Sequence, residues 1–410
     1  MAIKDNPAAK YLLACDINCK GNVLVPVDEF SGKLEGNGYK IHNFRINEQA
    51  SVIGFVRTNN GIIRNTTFSN FVFTAEKNDG THKNYGIVCA VNNGTIDNCL
   101  VTDGEMKIGC NKGTPDPQLY IGAIAGTNFG TITGCQNYIS IKADTQTSGA
   151  WNDQGHIYSH IGGIVGHNEK DAAVSNCANY GKLNISVTTN HYGRSYFHLG
   201  GITGENLGKI ETSVNQGDIV FNGTEDLGGD AIGTVLVGGA IGYNTGNVMN
   251  CYSQEDIIIK NVGNDNGDYV GGFVGHNYGS IYNCFTTSNI EYGAPNARAI
   301  GGFAGFNEAF TIDKCFSTGS IKLADAPANI GCFIGQSTGA EKDCYYLDTM
   351  TISKVVGVDE LETIVAVDPT NDIGQAKAES GLLSVDFLEN TMYFDRMVWL
   401  LIDGELPALR

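Results

Sequence analysis

The chain has 410 residues, 44 acidic side chains against 26 basic ones, and a formal net charge of −18. Such a surface repels phosphate backbones, and no basic stripe interrupts it, which excludes nucleic acid as the expected partner; no run of 18 apolar residues exists, so no transmembrane helix is expected. Charged residues make up only 17%, and Asn, Thr, Ser and 54 glycines take their place, a mixture that suits short strands and tight turns rather than helices.

Residues 1–50 come first. The stretches YLLACDINCKGNVLVPV and FSGKLEGNGYKIHNFRI read as one or two degenerate coils that close the N-terminal end. The opening segment lacks the apolar core of a secretory leader. The expectation is therefore a module cut from a longer chain; a particle component assembled inside the cell is the alternative.

From residue 51 to 345 one phrase returns nine times. It consists of an aliphatic residue, a glycine pair, two apolar residues, a glycine, any residue and an asparagine, then a small turn, an aliphatic residue and a cysteine. YIGAIAGTNFGTITGC ending at Cys135 and YVGGFVGHNYGSIYNC ending at Cys284 are nearly clean copies. The motif asparagines are Asn59, Asn92, Asn128, Asn168, Asn206, Asn244, Asn277 and Asn307, 30 to 40 residues apart, and Ser337 takes the slot in the last copy. A repeat of that size is a solenoid signature, because one unit cannot bury its apolar face alone.

Residues 269–299 serve as the type unit. Val270 to Asn277 read as one strand, Tyr278 and Gly279 as a turn, Ser280 to Asn283 as a second strand, and Cys284 opens a third. The glycine two places after the asparagine (Gly61, Gly94, Gly130, Gly208, Gly246) suggests a positive φ there. Six residues after the cysteine slot an aliphatic recurs as Ile141, Leu183, Ile219, Ile257, Ile290 and Ile321. Three strands per coil in register predict an all-β fold, a right-handed parallel β-helix of about nine to ten coils. The asparagines then form a structural ladder, each in a turn that tolerates αL. Cys99, Cys135, Cys177, Cys251, Cys284, Cys315 and Cys344 share one phase. Thr66 and Ser213 fill that slot in other copies, so it selects small size, and a column of buried reduced thiols is expected.

Coil length varies between the third strand and the next glycine pair, at 102–119, 143–159, 187–197 and 222–235. Inserts at one phase should project from one side, where solenoids bind ligands. Two neighbouring inserts concentrate aromatic and cationic residues: Trp151, His156, Tyr158 and His160 in one, His191, Tyr192, Arg194, Tyr196, Phe197 and His198 in the other. These ten are the candidate ligand-binding residues, for a glycan or a protein. The histidine spacing matches no ligand pattern, so no metal site is expected. The acidic turns 222–230 and 264–268 could hold calcium but read better as solvated turns. No catalytic residues are expected, and Asp153 is the single acid worth nominating.

Residues 346–410 do not repeat and read as a C-terminal cap, with a short amphipathic helix over Ser380–Asn390 and a closing strand pair.

The repeated phrase with its following I-x-N-C resembles the GLUG motif, and the opening NPAAKYLLACDIN and the closing DGELPAL resemble the flanks of GLUG-bearing regions. Such regions occur in large bacterial surface proteins, including adhesin-like proteins and the N-terminal parts of IgA-cleaving metallopeptidases. The resemblance implies a cell-surface or secreted β-helical module that presents loops to a host or bacterial surface glycan or protein, without a cofactor. It does not imply catalysis, since H-E-x-x-H is absent. A virion fibre component and a polysaccharide-degrading β-helix enzyme are the alternatives.

Overall fold

The computed structural model describes residues 2–76, 81–110, 117–147, 157–189, 195–225, 232–260, 267–294, 297–325, 329–355, 361–363 and 374–410. Each coil passes through four sheets. The leading sheet has nine strands, from Val52–Ile53 to Asn329–Gly331; the asparagine sheet has ten, from Val27–Phe30 to Ile334–Ser337; the middle sheet has eleven, from Lys10–Leu12 to Ala340–Lys342. The trailing sheet takes the segments after the cysteine slot, such as Phe285–Thr286 and Ile290–Tyr292. Every ladder between neighbouring coils is parallel; for example, Ile96 pairs with Ile63 on one side and Ile132 on the other. Among the described residues, nine coils, one per motif copy, enter all four sheets and follow two partial ones built by residues 10–48.

The sequence divides a coil into three strands, whereas the chain makes four sheets. The apolar stretch of the type unit bends at its glycine pair, leaving Tyr269–Gly271 in the leading sheet and Val274–Asn277 in the asparagine sheet. The glycine after the motif asparagine also has a different role from the expected one. None of Gly61, Gly94, Gly130, Gly208 and Gly246 has a positive φ, and neither do the motif asparagines. At Gly94 a Cβ would lie 2.1 Å from the Gly61 carbonyl oxygen of the coil below, so close stacking demands glycine. The left-handed corner falls instead just before the cysteine slot, at Asn65, Asn98, Gly134, Asn176, Thr212, Asn250, Asn283, Lys314 and Asp343. Asn and Gly suit that conformation; Thr212, at φ 44°, is β-branched and strained there.

The core is a set of columns. Ile63, Ile96, Ile132, Val174, Ile210, Val248, Ile281 and Ile312 stack along the middle sheet, all but excluded from solvent. Each contributes about 1.5–3 kcal/mol by burial. Beside them runs the amide ladder. Asn59 Nδ2 donates to Asn92 Oδ1 at 2.7 Å, Asn92 to Asn128 at 2.8 Å, Asn128 to Asn168 at 2.8 Å and Asn168 to Asn206 at 2.8 Å. Asn206, Asn244 and Asn277 continue it to Asn307. All eight side chains are fully buried. In the last coil Glu341 replaces the core aliphatic, and its Oε1 accepts from both Asn307 Nδ2 and Ser337 Oγ. The seven column thiols are buried and unbridged, and backbone amides such as Cys99 N–H donate to the sulfur above. Burial pushes the thiols of Cys135, Cys251, Cys284, Cys315 and Cys344 up, Cys344 to about 12.

The C-terminal segment does more than close an end. Gln375–Lys377 pairs with Tyr345–Leu347 at the last coil, as a cap would. Residues 379–410 then fold back along the solenoid's flank. Two short helices, Glu379–Leu382 and Val385–Asn390, and the hairpin Trp399–Leu400/Ala408–Leu409 lie against the outer face of the trailing sheet. There Tyr252, Phe285 and Phe316 stack at 4.9 Å intervals, and the fully buried Trp399 packs on them. Its Nε1 donates to Asn250 Oδ1 at 3.3 Å.

Two substitutions test this account. Asn168→Ala removes the acceptor of Asn128 and the donor to Asn206, and should cost about 1–3 kcal/mol in urea denaturation. Thr212→Asn relieves the left-handed strain and should gain about 1 kcal/mol in the same measurement; a loss would show that the corner is not what limits this position.

Candidate functional site

In the coils with inserts, the trailing and leading strands lengthen outward. Ile141–Thr147 pairs with Leu183–Thr189 and that with Ile219–Glu225, while Ile157–Gly162 pairs with Ser195–Gly200. The strands that flank successive inserts thus share one side. Trp151, His156, His191, Tyr192 and Arg194 lie outside the described residues, as does Asp153. Tyr158 and Tyr196 stack face to face, with centroids 4.8 Å apart and planes 8° apart. Phe197 cannot serve as a contact residue. Strand alternation turns it inward, where it is fully buried against Phe221 at 5.1 Å.

His160 and His198 belong to a different feature. Both sit on the leading sheet, opposite each other in adjacent coils, with side chains on the outer face. The chain bends so tightly between the leading and asparagine sheets that a Cβ at Gly204 would lie 2.4 Å from Ile161 N. Outward side chains of the two sheets therefore meet in a seam. Tyr120, His160, His198 and Tyr269 come from the leading sheet, and His167, Glu205, Tyr243 and His276 from the asparagine sheet. Tyr120 lies 5.0 Å from both His160 and His167, and Tyr243 lies 5.3 Å from His198 and 5.1 Å from His276. Glu205 occupies the middle. Its Oε2 is 2.8 Å from His167 Nδ1 and 2.9 Å from His160 Nδ1, and His167 Nε2 reaches Glu169 at 3.2 Å. His198 is half-buried, but its Nδ1 is sealed and unpartnered.

Linear spacing hid this cluster. The register places the ligating atoms of His160, His198 and Glu205 within 4.8 Å of one another. Of the acidic turn at 264–268, Asp268 departs from the expectation. Asp268 is not solvated: buried, it accepts from Tyr292 Oη at 2.8 Å and Val235 N at 2.9 Å. A second amide ladder also went unread: Asn137 donates to Asn179 and Asn179 to Asn215, both at 2.7 Å, beneath the glycine pairs.

The seam is filled by its own side chains, whereas an open cavity lies on another sheet. It is a groove of about 870 Å³ on the trailing sheet of the early coils, lined by Phe71, Thr102, Asp103, Glu105, Tyr138 and Lys142. Tyr138 stacks on Tyr180 at 4.7 Å, yet the two remain 48% and 39% exposed. Glu105 is held below the usual carboxylate range by Lys107 at 3.0 Å and Lys142 at 3.3 Å.

Seam electrostatics fix a pH dependence. Burial, with His160 alongside, pushes His198 down to about 3, and burial also lowers His276 against the pull of Glu308. Burial would lower His167, but Glu205 and Glu169 raise it on balance. Burial would raise Glu205, but His160 and His167 lower it on balance. Below the unfolded histidine value of about 6.5, the unfolded chain takes protons that folded His198 refuses, so stability falls as pH falls, by at most about 1.4 kcal/mol per pH unit for this group. The His167 contribution is complete below that value and is lost only as pH rises through its folded value. The Glu205 contribution is lost as pH falls from about 4.5 through its folded value. Melting temperature measured with chelator present should drop from pH 6.5 to 4.5, and His198→Phe should flatten the drop.

Two adjacent copies of the repeat, residues 266–291 and 296–322, match the family model described as "The GLUG motif". No curated protein matches the chain. Among solved structures, the chain is similar to the crystal structure of a "putative immunoglobulin A1 protease" from Bacteroides ovatus. Identity is 16%, coverage is 98% of this chain and 85% of that one, and the TM-score is 0.33. The protein is a parallel β-helix that carries the GLUG motif.

Proposed function

We propose that the chain is a non-catalytic, adhesin-like module that works at the cell surface or outside the cell and holds a glycan on its trailing-sheet side. The observation that carries this reading is the exposed Tyr138–Tyr180 pair beside the open groove. Stacked rings give a flat apolar platform at low entropy cost, and the hydroxyl, carboxylate and ammonium groups of Thr102, Asp103, Glu105 and Lys142 rim it. A sugar presents that pairing of apolar ring face and hydroxyl edge. The GLUG motif supports placement at the surface, and among the described residues no helix is long and apolar enough to cross a membrane.

Chemistry on a glycosidic bond needs one carboxyl kept protonated by a raised pKa. Glu105 is shifted the other way by its two lysines, which favours binding over cleavage.

Glycan-array screening followed by titration tests the reading. Tyr138→Ala and Tyr180→Ala should each weaken binding roughly 10-fold, the range of a lost aromatic anchor. Trp151→Ala measures the share taken by the insert tips. A folded double tyrosine variant that binds unchanged would remove the groove, and release of shortened polysaccharide would turn the reading to an enzyme.

A further inference from the structure

The seam between the leading and asparagine sheets contains donors that the glycan reading does not use. We propose that His160, His198 and Glu205 form a binding site for one divalent transition-metal ion of the zinc class. Two imidazoles and a carboxylate are a donor set that zinc takes, and one that calcium and magnesium, which prefer oxygen alone, do not.

The geometry supplies four observations. The three ligating atoms already lie within 4.8 Å of one another, so small side-chain rotations suffice to close on an ion. The Nδ1 atoms of His160 and His198 are both buried without a hydrogen bond. His160 Nδ1 stands 2.9 Å from Glu205 Oε2 but lacks the alignment of a hydrogen bond, so proximity there is not explained by a satisfied donor and acceptor. The outer support is also in place. His167 Nδ1 contacts Glu205 Oε2 at 2.8 Å and is itself held through Nε2 by Glu169, the kind of second partner that orients a metal-binding carboxylate. Tyr120 and Tyr243 wall the cluster at either end.

Such an ion joins two sheets and two coils. His160 lies in one coil, His198 and Glu205 in the next, and Glu205 stands across the bend from the two histidines. Its role is a cross-brace between the two neighbouring coils, at the strands that follow the inserts 143–159 and 187–197. The site stands independently of the glycan groove, which lies on another sheet.

The test is zinc chloride titrated into chelator-treated full chain, followed by calorimetry and thermal melting. The chain carries Cys15→Ser and Cys19→Ser to remove the two thiols that solvent reaches. One ion per chain should bind, with a rise in melting temperature, and calcium should produce neither. His198→Asn and Glu205→Gln should each weaken zinc binding by more than the roughly 10- to 100-fold that loss of an outer partner costs, while His276→Asn, at the neighbouring His–Glu pair, leaves it unchanged. Cobalt in place of zinc reports the coordination directly through its visible absorption, also where a variant shifts stability. Failure of the folded chain to bind zinc, or zinc and cobalt binding indifferent to His198→Asn and Glu205→Gln, would overturn the proposal.

Discussion

A buried side-chain amide that must find its partner in the next coil sets the register of this protein. Coils in a parallel solenoid stand about 4.8 Å apart, which an asparagine amide spans when it donates upward and accepts from below. A slip of one residue would leave buried amides unpaired, at a cost of about 1–3 kcal/mol each. Register held at that column is then imposed on the rest. The aliphatic, thiol and glycine columns fall into line, and differences in coil length are forced out sideways into the inserts.

The columns are legible in the sequence because they recur at every coil. Ile96, Asn128 and Cys135 announce themselves by phase alone. What does not recur is harder to read. The ladder through Asn137, Asn179 and Asn215 is continued by Ser253, Thr286 and Ser317, so residue identity masks a shared position. The bend at the glycine pair reads as one apolar strand, since both halves are buried and periodicity cannot show a corner. Phe197 could have been removed by parity: it alternates with Tyr196 and His198, and Leu199, its inward companion two places on, is as deeply buried. The seam was out of reach, because His160, His198 and Glu205 become neighbours only once the coil lengths between them are known.

The exterior is used unevenly. The bend between the leading and asparagine sheets is packed with rings and charges. The trailing sheet is covered along its later coils by Trp399, Phe387 and their neighbours, and left open along the earlier ones. The C-terminal segment thus confines any ligand on that sheet to the coils around Tyr138 and Tyr180, beside the insert roots.

The amide ladder also has a direction. Every bond from Asn59 onward runs from Nδ2 to the Oδ1 of the following coil, so the side-chain dipoles add along the axis and polarise one another. The positive end emerges at Asn307, where the carboxylate of Glu341 receives it. Coils of this kind can be added or removed in the middle of the stack without disturbing that field, but the anionic terminator has to remain last.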